Sequence, residues 1–563
     1  MPTVENRPWL QNYQPGVPAE IEIPTASLSH MLEDSARKFR KQTALDFFGA
    51  STSFQELGRQ VERAAEGLRR LGVGPGSRVA LILPNCPQHV VAFYAVLRLG
   101  AVVVEHNPLY TERELRHQFE DHGATVAVVW NNVVAKVQAF PADLAVKTIV
   151  SVDLTRAMPR AKRLALRLPI PAARKSRKAL TAPVKNTVSW ETLLKSKPLK
   201  KSFPRPAVTD LAAIQYTSGT TGSPKGVMLT HLNLRANAEQ GRAWMHGAAE
   251  GTEVMYAVLP MFHAFGMTLY LTFGVLTGSR VVLFPKFDVD LVLSAAKKTP
   301  PTIFCAVPPI YERTANEARK RGVDLGSVRF AISGAMNLPQ ATVDLWEDTA
   351  GGLLVEGYGM TETSPVAMGN PFAPTRRNGT IGVPFPSTEM RVVDPDNPDQ
   401  DVEPGQPGEL LIRGPQVFQG YWGKPDETAA VLLDGGWVRT GDIVTVDAEH
   451  NARIVDRVKE LIITGGFNVS PSEVEEALRS HPDVMEAAVV GLPRAEGGEE
   501  VTAAVVLRPE DDLTLREQEM RDFCRSRLAA YKVPRRIVAV PELPKSMLGK
   551  VLRKQVKEQL ATR

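Results

Sequence analysis

Cysteine is nearly missing from this chain. Its 563 residues hold three, Cys86, Cys305 and Cys524, far apart and with no C-x-x-C or Cys/His cluster at zinc spacing, which excludes a disulfide framework and a sequence-local zinc site. Long apolar runs are missing too. The longest uncharged stretch, 254–279, is interrupted by Pro260, His263 and several glycines, so nothing reaches the roughly 20 apolar residues that cross a bilayer; a buried helix is expected there. The first 24 residues mix Glu5, Asn6, Arg7, Glu20 and Glu22 with prolines, without a basic lead into an apolar core. No secretory signal is read, and a cytoplasmic location is expected. Aromatics are scarce where positive charge is densest: 156–201 carries 14 Lys and Arg against Glu191 alone, with Trp190 its single aromatic. Nucleic-acid binding favours aromatics interleaved with cations for stacking, so no nucleic-acid partner is expected. That segment nets +13 in a chain of +5, leaving −8 for the rest, so basicity belongs to the segment.

What is present is ordinary globular composition, 43% hydrophobic and 23% charged, far from the disordered corner. At roughly 100 to 200 residues per domain, two to four folding units are expected. The first half alternates helix and strand. Ser53 with Glu56 and Thr111 with Glu114 are capping-box patterns, the first leading Leu57, Val61, Ala64, Ala65 and Leu68 at helical spacing. Arg78 to Leu83 and Thr125 to Trp130 read as strands between such helices. The glycines at 72, 74 and 76 precede a strand and form a turn, outside any dinucleotide-fold context. Near Asp456 the pattern changes scale, with a short run from Leu461 to Thr464, a Gly465-Gly466 turn, and a helix opened by Ser470, Pro471 and Glu473. The fold class is α/β: a large N-terminal domain of layered sheets and helices, 1–456, followed by a small mobile α+β domain, 457–563.

The most informative stretch runs Tyr216, Thr217, Ser218, Gly219, Thr220, Thr221, Gly222, Ser223, Pro224, Lys225, Gly226. Hydroxyls and glycine amides closed by an ammonium can surround phosphate oxygens. It is no Walker A loop, because Pro224 precedes the lysine and Gly226 follows it before a β-branched run.

This stretch resembles the signature loop of the adenylate-forming superfamily of acyl-CoA synthetases, luciferases and peptide-synthetase adenylation domains. Further motifs follow in that family's order: Glu356, Gly357, Tyr358, Gly359, Met360, Thr361, Glu362; Asp442 in Thr440-Gly441-Asp442; Asp456 to Glu460; and Lys550 in the run from Pro544. The resemblance implies a fold of two domains with Lys459 as hinge, and Lys550, Thr361, Glu362 and His263 as the catalytic set. It implies ATP, Mg2+ and the co-substrate CoA, with Glu362 and Thr217 as metal ligands. Nucleotide and cofactor contacts are implied for Thr217, Ser218, Gly219, Thr220, Thr221, Lys225, Ser333, Gly334, Ala335, Glu356, Gly357, Tyr358, Gly359, Asp442, Arg457, Gly465 and Gly466.

The chemistry suits these residue types. A carboxylate is a poor acyl electrophile, so a thioester needs an activated intermediate such as an acyl-adenylate. Fixed positive charge from Lys550 between carboxylate and α-phosphate lowers that barrier. Glu362 supplies the hard oxygen Mg2+ prefers, Asp442 can accept from ribose hydroxyls, and Tyr358 offers adenine a flat face. His263, in an apolar setting, is either a satisfied core histidine or, as the resemblance implies, the floor of an acyl pocket.

The implied activity is ATP-dependent fatty acid:CoA ligation with release of AMP and pyrophosphate. The alternatives are an aryl or medium-chain ligase of the same superfamily, or a non-catalytic membrane-associated acyl carrier. The basic segment resembles one found in bacterial long-chain fatty acyl-CoA synthetases. Leu164, Leu166, Leu168 and Ile170 lie among its cations, so a short amphipathic element and a basic loop are expected to dock peripherally on an anionic membrane surface.

Overall fold

The computed structural model describes residues 7–217, 224–457, 460–464, 467–494, 499–508, 513–546 and 549–562. It divides into two compact units, 1–389 with 413–438, and 390–412 with 439–563. The expected 1–456/457–563 division follows motif order; the packing units assign most of the sheet around 390–457 to the smaller body.

Unit 1 is layered α/β. One sheet of nine strands runs in the order Val383–Pro384, Val366–Gly369, Leu354–Gly359, Phe330–Ser333, Ile303–Ala306, Val254–Ala257, Arg280–Leu283, Thr43–Phe47, Ala50–Ser53. A second, of eight, runs Gly420–Tyr421, Lys225–Thr230, Leu211–Thr217, Val102–Glu105, Arg78–Ile82, Val126–Trp130, Thr148–Val152, Val188–Ser189.

Local signals produced the elements they should. Ser53 accepts the Glu56 amide and starts the helix Phe54–Arg70, whose Leu57, Val61, Ala64, Ala65 and Leu68 are all buried. Thr111 and Glu114 make a full capping box on Glu112–His122. Helix Pro87–Arg98 is apolar all round and every residue is buried; its one charge, Arg98, bonds Glu62 at 3.0 Å, the pairing a buried cation requires.

Two expectations are corrected. The stretch 254–279 is not one buried helix but the strand Val254–Ala257, a turn through 258–263, and a helical passage over 264–276 whose middle, Met267–Phe273, is π-wound. An apolar run buried in a parallel sheet reads like a buried helix, and Pro260 marks the break. In the basic segment, 171–180 is not a loop but the helix Pro171–Leu180, because a proline is well placed at the first helical position. Among the described residues no helix is long and apolar enough to cross a membrane, and the three cysteines are free and buried.

Unit 2 carries the antiparallel strands Trp437–Val446 and Ala452–Arg457 and a three-stranded sheet of Val484–Pro493, Glu499–Leu507 and Arg536–Ala539. The run from Ala487 to Val490 is apolar at every position because both faces of its sheet are covered. Ala487 and Val489 pack with Leu478 and Met520, Ala488 and Val490 with Val556 and Leu560, each buried valine contributing about 1.5–3 kcal/mol. Ser470 accepts the Glu473 amide at the head of Pro471–Arg479, as the pattern predicts.

Candidate active site

Four parallel strands of the nine-stranded sheet, Val254–Ala257, Ile303–Ala306, Phe330–Ser333 and Leu354–Gly359, are neighbours. The segments leaving their C-terminal ends converge there, the place where α/β sheets bind ligands. Three of the sequence motifs do so: Ser333 to Ala335, Glu356 to Gly359, and the turn holding His263. Ser333 and Glu356 are register partners, so their side chains share a face. Both are buried, and among the described residues the Ser333 Oγ and Glu356 Oε2 meet no hydrogen-bond partner. Desolvation pushes the Glu356 carboxyl up to about 8. A proton-bearing acid offers a donor and an acceptor together, which suits an adenine edge. Tyr358 is buried beside it. The glycines are steric requirements. A Cβ on Gly334 would lie 3.1 Å from the Phe265 ring and 3.2 Å from the Gly357 carbonyl oxygen, and one on Gly359 would fall on the Pro365 carbonyl. Ala335 takes φ +66°, turning the chain past that edge.

The phosphate motif joins the antiparallel strands Leu211–Thr217 and Lys225–Thr230, whose register sets Thr217 opposite Lys225. Ser218, Gly219, Thr220 and Thr221 lie outside the described residues, as do Lys459, Gly465 and Gly466. The Lys225 ammonium pairs with Glu427 and lies 4.9 Å from the centre of the Tyr421 ring. The Tyr421 hydroxyl donates to Glu362 Oε1 at 2.7 Å, and the Phe418 amide donates to the Glu362 carbonyl at 2.8 Å. Thr361 and Glu362 open the short helical turn Thr361–Thr363. One tyrosine thus ties the phosphate-loop lysine to the carboxylate expected to take the metal. No group of three or more His, Cys, Asp or Glu that could cage a metal exists among the described residues. A buried carboxylate with a threonine hydroxyl in the neighbouring motif fits Mg2+, which keeps waters and phosphate oxygens in its shell.

His263 follows strand Val254–Ala257. Its Nδ1 accepts the Phe265 amide at 3.3 Å, which leaves the ring proton on Nε2. Protein atoms crowd the ring although one side stays accessible, and desolvation pushes its pKa down to about 4, so at neutral pH it is an uncharged donor. The turn that carries it is held by Asn85, which donates to the carbonyls of Ala257 at 2.9 Å and Leu259 at 2.8 Å and accepts the Met261 amide at 2.8 Å. Beyond it, the π-wound stretch Met267–Phe273 is wholly buried. Thr268 Oγ1 donates to the Ser364 carbonyl at 2.5 Å, linking the His263 arm to the Thr361–Glu362 turn.

Within unit 2, Asp442 and Arg457 face each other on paired strands, Arg457 Nε 3.0 Å from Asp442 Oδ1, with Asp442 buried. Lys550 lies near both. Desolvation first, and then Arg457, depress its pKa to about 8, against the opposing pull of Glu460 and Asp442. Protein atoms crowd its ammonium, although part of the side chain stays exposed to solvent. Its backbone closes a small loop, the Ser546 amide donating to the Lys550 carbonyl at 2.7 Å. The Asp456 carboxylate is buried and accepts the Ser472 amide at 3.1 Å, anchoring the strand end to the next helix.

Sequence reasoning missed Asn85, Tyr421 and Glu427. None carries a chemical signature at sequence range, since each matters through a partner brought from elsewhere by the sheet order.

The chain matches the AMP-binding enzyme family over residues 32–422 and the AMP-binding enzyme C-terminal domain over 473–550. It is 38% identical over 559 residues to the long-chain-fatty-acid–CoA ligase of Bacillus subtilis, covering 98% of each chain. Its fold is similar to ATP-bound MatB from Rhodopseudomonas palustris, with a TM-score of 0.81 and 29% identity over 95% of this chain and 99% of that one. It is similar also to a fatty acyl CoA synthetase from Mycobacterium tuberculosis, with a TM-score of 0.74 and 26% identity over 95% and 98%.

Proposed function

Because the chain belongs to the AMP-binding enzyme family, we propose that the strand-end site of unit 1 makes an acyl-adenylate and that Lys550 serves this step. The protein is an ATP-dependent long-chain fatty acid:CoA ligase. The observation that carries this reading is the joining of Lys225, Tyr421, Glu362 and the Glu356–Gly359 strand end in a chain similar along its whole length to ligases of that name.

In the first step a carboxylate oxygen of the acid attacks the α-phosphorus of ATP, and the bond to the β-phosphate oxygen breaks, releasing pyrophosphate. In the second the CoA sulfur attacks the acyl carbon and AMP leaves. Glu356 and Ser333 contact the adenine edge, Tyr358 its face, and Asp442 with Arg457 the ribose. Thr361 holds the α-phosphate, while Thr217, Lys225 and the motif 218–221 hold the outer phosphates. Glu362 with Thr217 would hold Mg2+, which when bound neutralises triphosphate charge. His263, uncharged, orients the carboxylate and does not shuttle protons. Lys550 places positive charge where carboxylate and phosphate meet. The region 457–563 turns about Lys459 between the two steps, with Gly465 and Gly466 among the cofactor contacts. The test is pyrophosphate release across a panel of acids with and without CoA. Release that needs a long-chain acid, with acyl-CoA formed only when CoA is added, is expected; no acid-dependent release would overturn the reading.

The protein also binds peripherally to an anionic inner membrane face through 156–201. Support comes from the helices Arg160–Ala165 and Pro171–Leu180, which bury no residue. Leu164, Leu168 and Ile170 are three of the eight large hydrophobics exposed on the described chain, all within seven positions and among the cations. Each cation near such a surface is worth about 1 kcal/mol before screening. In vesicle co-sedimentation, wild type should bind anionic vesicles and lose binding at high salt. Replacing Arg174, Lys175, Arg177 and Lys178 by Gln should weaken it; equal binding by both proteins would reduce the segment to a solvated surface.

A further inference from the structure

The Lys225–Glu427 pair is partly exposed. Glu427 lies on the helix Pro425–Ala429, which buries no residue, and its side chain is 39% exposed while that of Lys225 is 14% exposed. Lys225 is held from the other side by the Tyr421 ring, and it closes the phosphate motif in register with Thr217. A carboxylate therefore stands against the cation that the phosphates need.

We propose that Glu427 is an internal counter-ion competing with polyphosphate for Lys225, keeping the ammonium over the Tyr421 ring in the absence of ligand and recapturing it as pyrophosphate leaves. This rests on the reading of Lys225 as a phosphate ligand. The physical argument is one of matched strengths. A partly exposed ion pair is worth only a few tenths to about 1 kcal/mol, so a ligand with several negative charges displaces it, yet the pair still weakens that ligand's hold. The cost falls on ATP and pyrophosphate alike, and its benefit is faster clearance of a product that would reverse adenylation. Tyr421 makes the exchange local. Its ring keeps the lysine chain in place and its hydroxyl stays on Glu362, so the ammonium changes partner without leaving the site.

The experiment is titration calorimetry of inorganic pyrophosphate, ATP and AMP, each with Mg2+, into the purified full chain and three variants: Glu427→Gln, Lys225→Gln and the double substitution. Glu427→Gln should tighten pyrophosphate and ATP roughly two- to fivefold, the range set by a partly exposed pair, and leave AMP unchanged. Lys225→Gln should weaken both polyphosphates, and on that background Glu427→Gln should change nothing. An unchanged or weaker polyphosphate affinity in Glu427→Gln would overturn the proposal, as would an equal gain for AMP or an equal gain without Lys225, either of which marks a general charge effect. If Lys225→Gln leaves polyphosphate binding intact, the assignment of Lys225 to phosphate fails, and the competition with it. Glu427 is on the surface, and matching thermal midpoints of wild type and Glu427→Gln keep the comparison clean.

Discussion

Glu356 in the larger unit and Asp442 in the smaller are similarly buried, but their surroundings differ. Among the described residues no cation pairs with Glu356, and burial drives its carboxyl up to about 8; Asp442 faces the Arg457 guanidinium at 3.0 Å. The same contrast separates His263, pushed down to about 4 and uncharged, from Lys550, which remains mostly protonated at neutral pH with a pKa of about 8. Apart from the charged Lys225–Glu427 pair and Glu362, the larger unit presents neutral donors and acceptors at its strand ends, suited to shape and hydrogen-bond recognition. The smaller presents charge on a partly exposed side chain, suited to stabilising a transition state.

That division of labour breaks most sharply at Lys550. Lys550→Ala should reduce acid-dependent ATP/pyrophosphate exchange by about a hundredfold or more, while synthetic acyl-adenylate with CoA should still give thioester. Equal loss in both half-reactions would mean that the charge serves no single step. Because a lysine with a pKa of about 8 is cationic below that pH and neutral above it, wild-type exchange should decline as pH rises through 8. Lys550→Arg keeps its charge and should lack that alkaline limb; the same limb in the arginine variant would assign it to another group.

Restricting the link between the regions should separate the steps differently. Lys459→Pro is expected to leave adenylation near normal and to slow thioester formation about tenfold or more, because proline fixes the dihedral about which the rotation turns. Single-turnover assays of each half-reaction decide it, and unaltered rates for both would place the pivot elsewhere.

The larger unit's side of the comparison is tested at Tyr421. Tyr421→Phe keeps the ring under Lys225 and removes only the donor to Glu362. A hydrogen bond to a charged group is worth about 1.5–3 kcal/mol, so the Mg2+ concentration needed for half-maximal ATP binding, measured by calorimetry, should rise roughly tenfold or more. No change in Mg2+ dependence would make the tyrosine a packing residue.

The last effect concerns Glu356 and stability. Its folded pKa, about 8, lies above the value of 4.5 it has when unperturbed, so between those values the unfolded chain releases a proton that the folded chain keeps, and stability falls as pH rises. Glu356→Gln cannot lose that proton. The thermal midpoint of the variant relative to wild type should climb by several degrees from pH 5 to 8 and level off above it, each unit by which a carboxyl pKa is raised being worth about 1.4 kcal/mol. A pH-independent difference would mean that Glu356 is charged in the folded protein.

The sequence by itself determined what acts over three or four residues or through order along the chain. Ser53, Thr111 and Ser470 set their helix starts because the capped amide is three positions away, and the motifs from Thr217 to Lys550 pointed to adenylate chemistry without a coordinate. Only the tertiary structure decided what depends on strand order. Asn85 reaches Leu259 across 174 positions and Tyr421 reaches Glu362 across 59, spacings with no periodicity to read. Short-range signals misled where burial erased them. The run ahead of Pro260 in 254–279 is short and apolar, so its pattern alone did not separate a strand buried on both faces from the start of a helix. The charge state of Glu356 was decided by tertiary structure as well: the letters name a carboxylate, and its burial in the folded chain pushes the carboxyl toward an acid that keeps its proton.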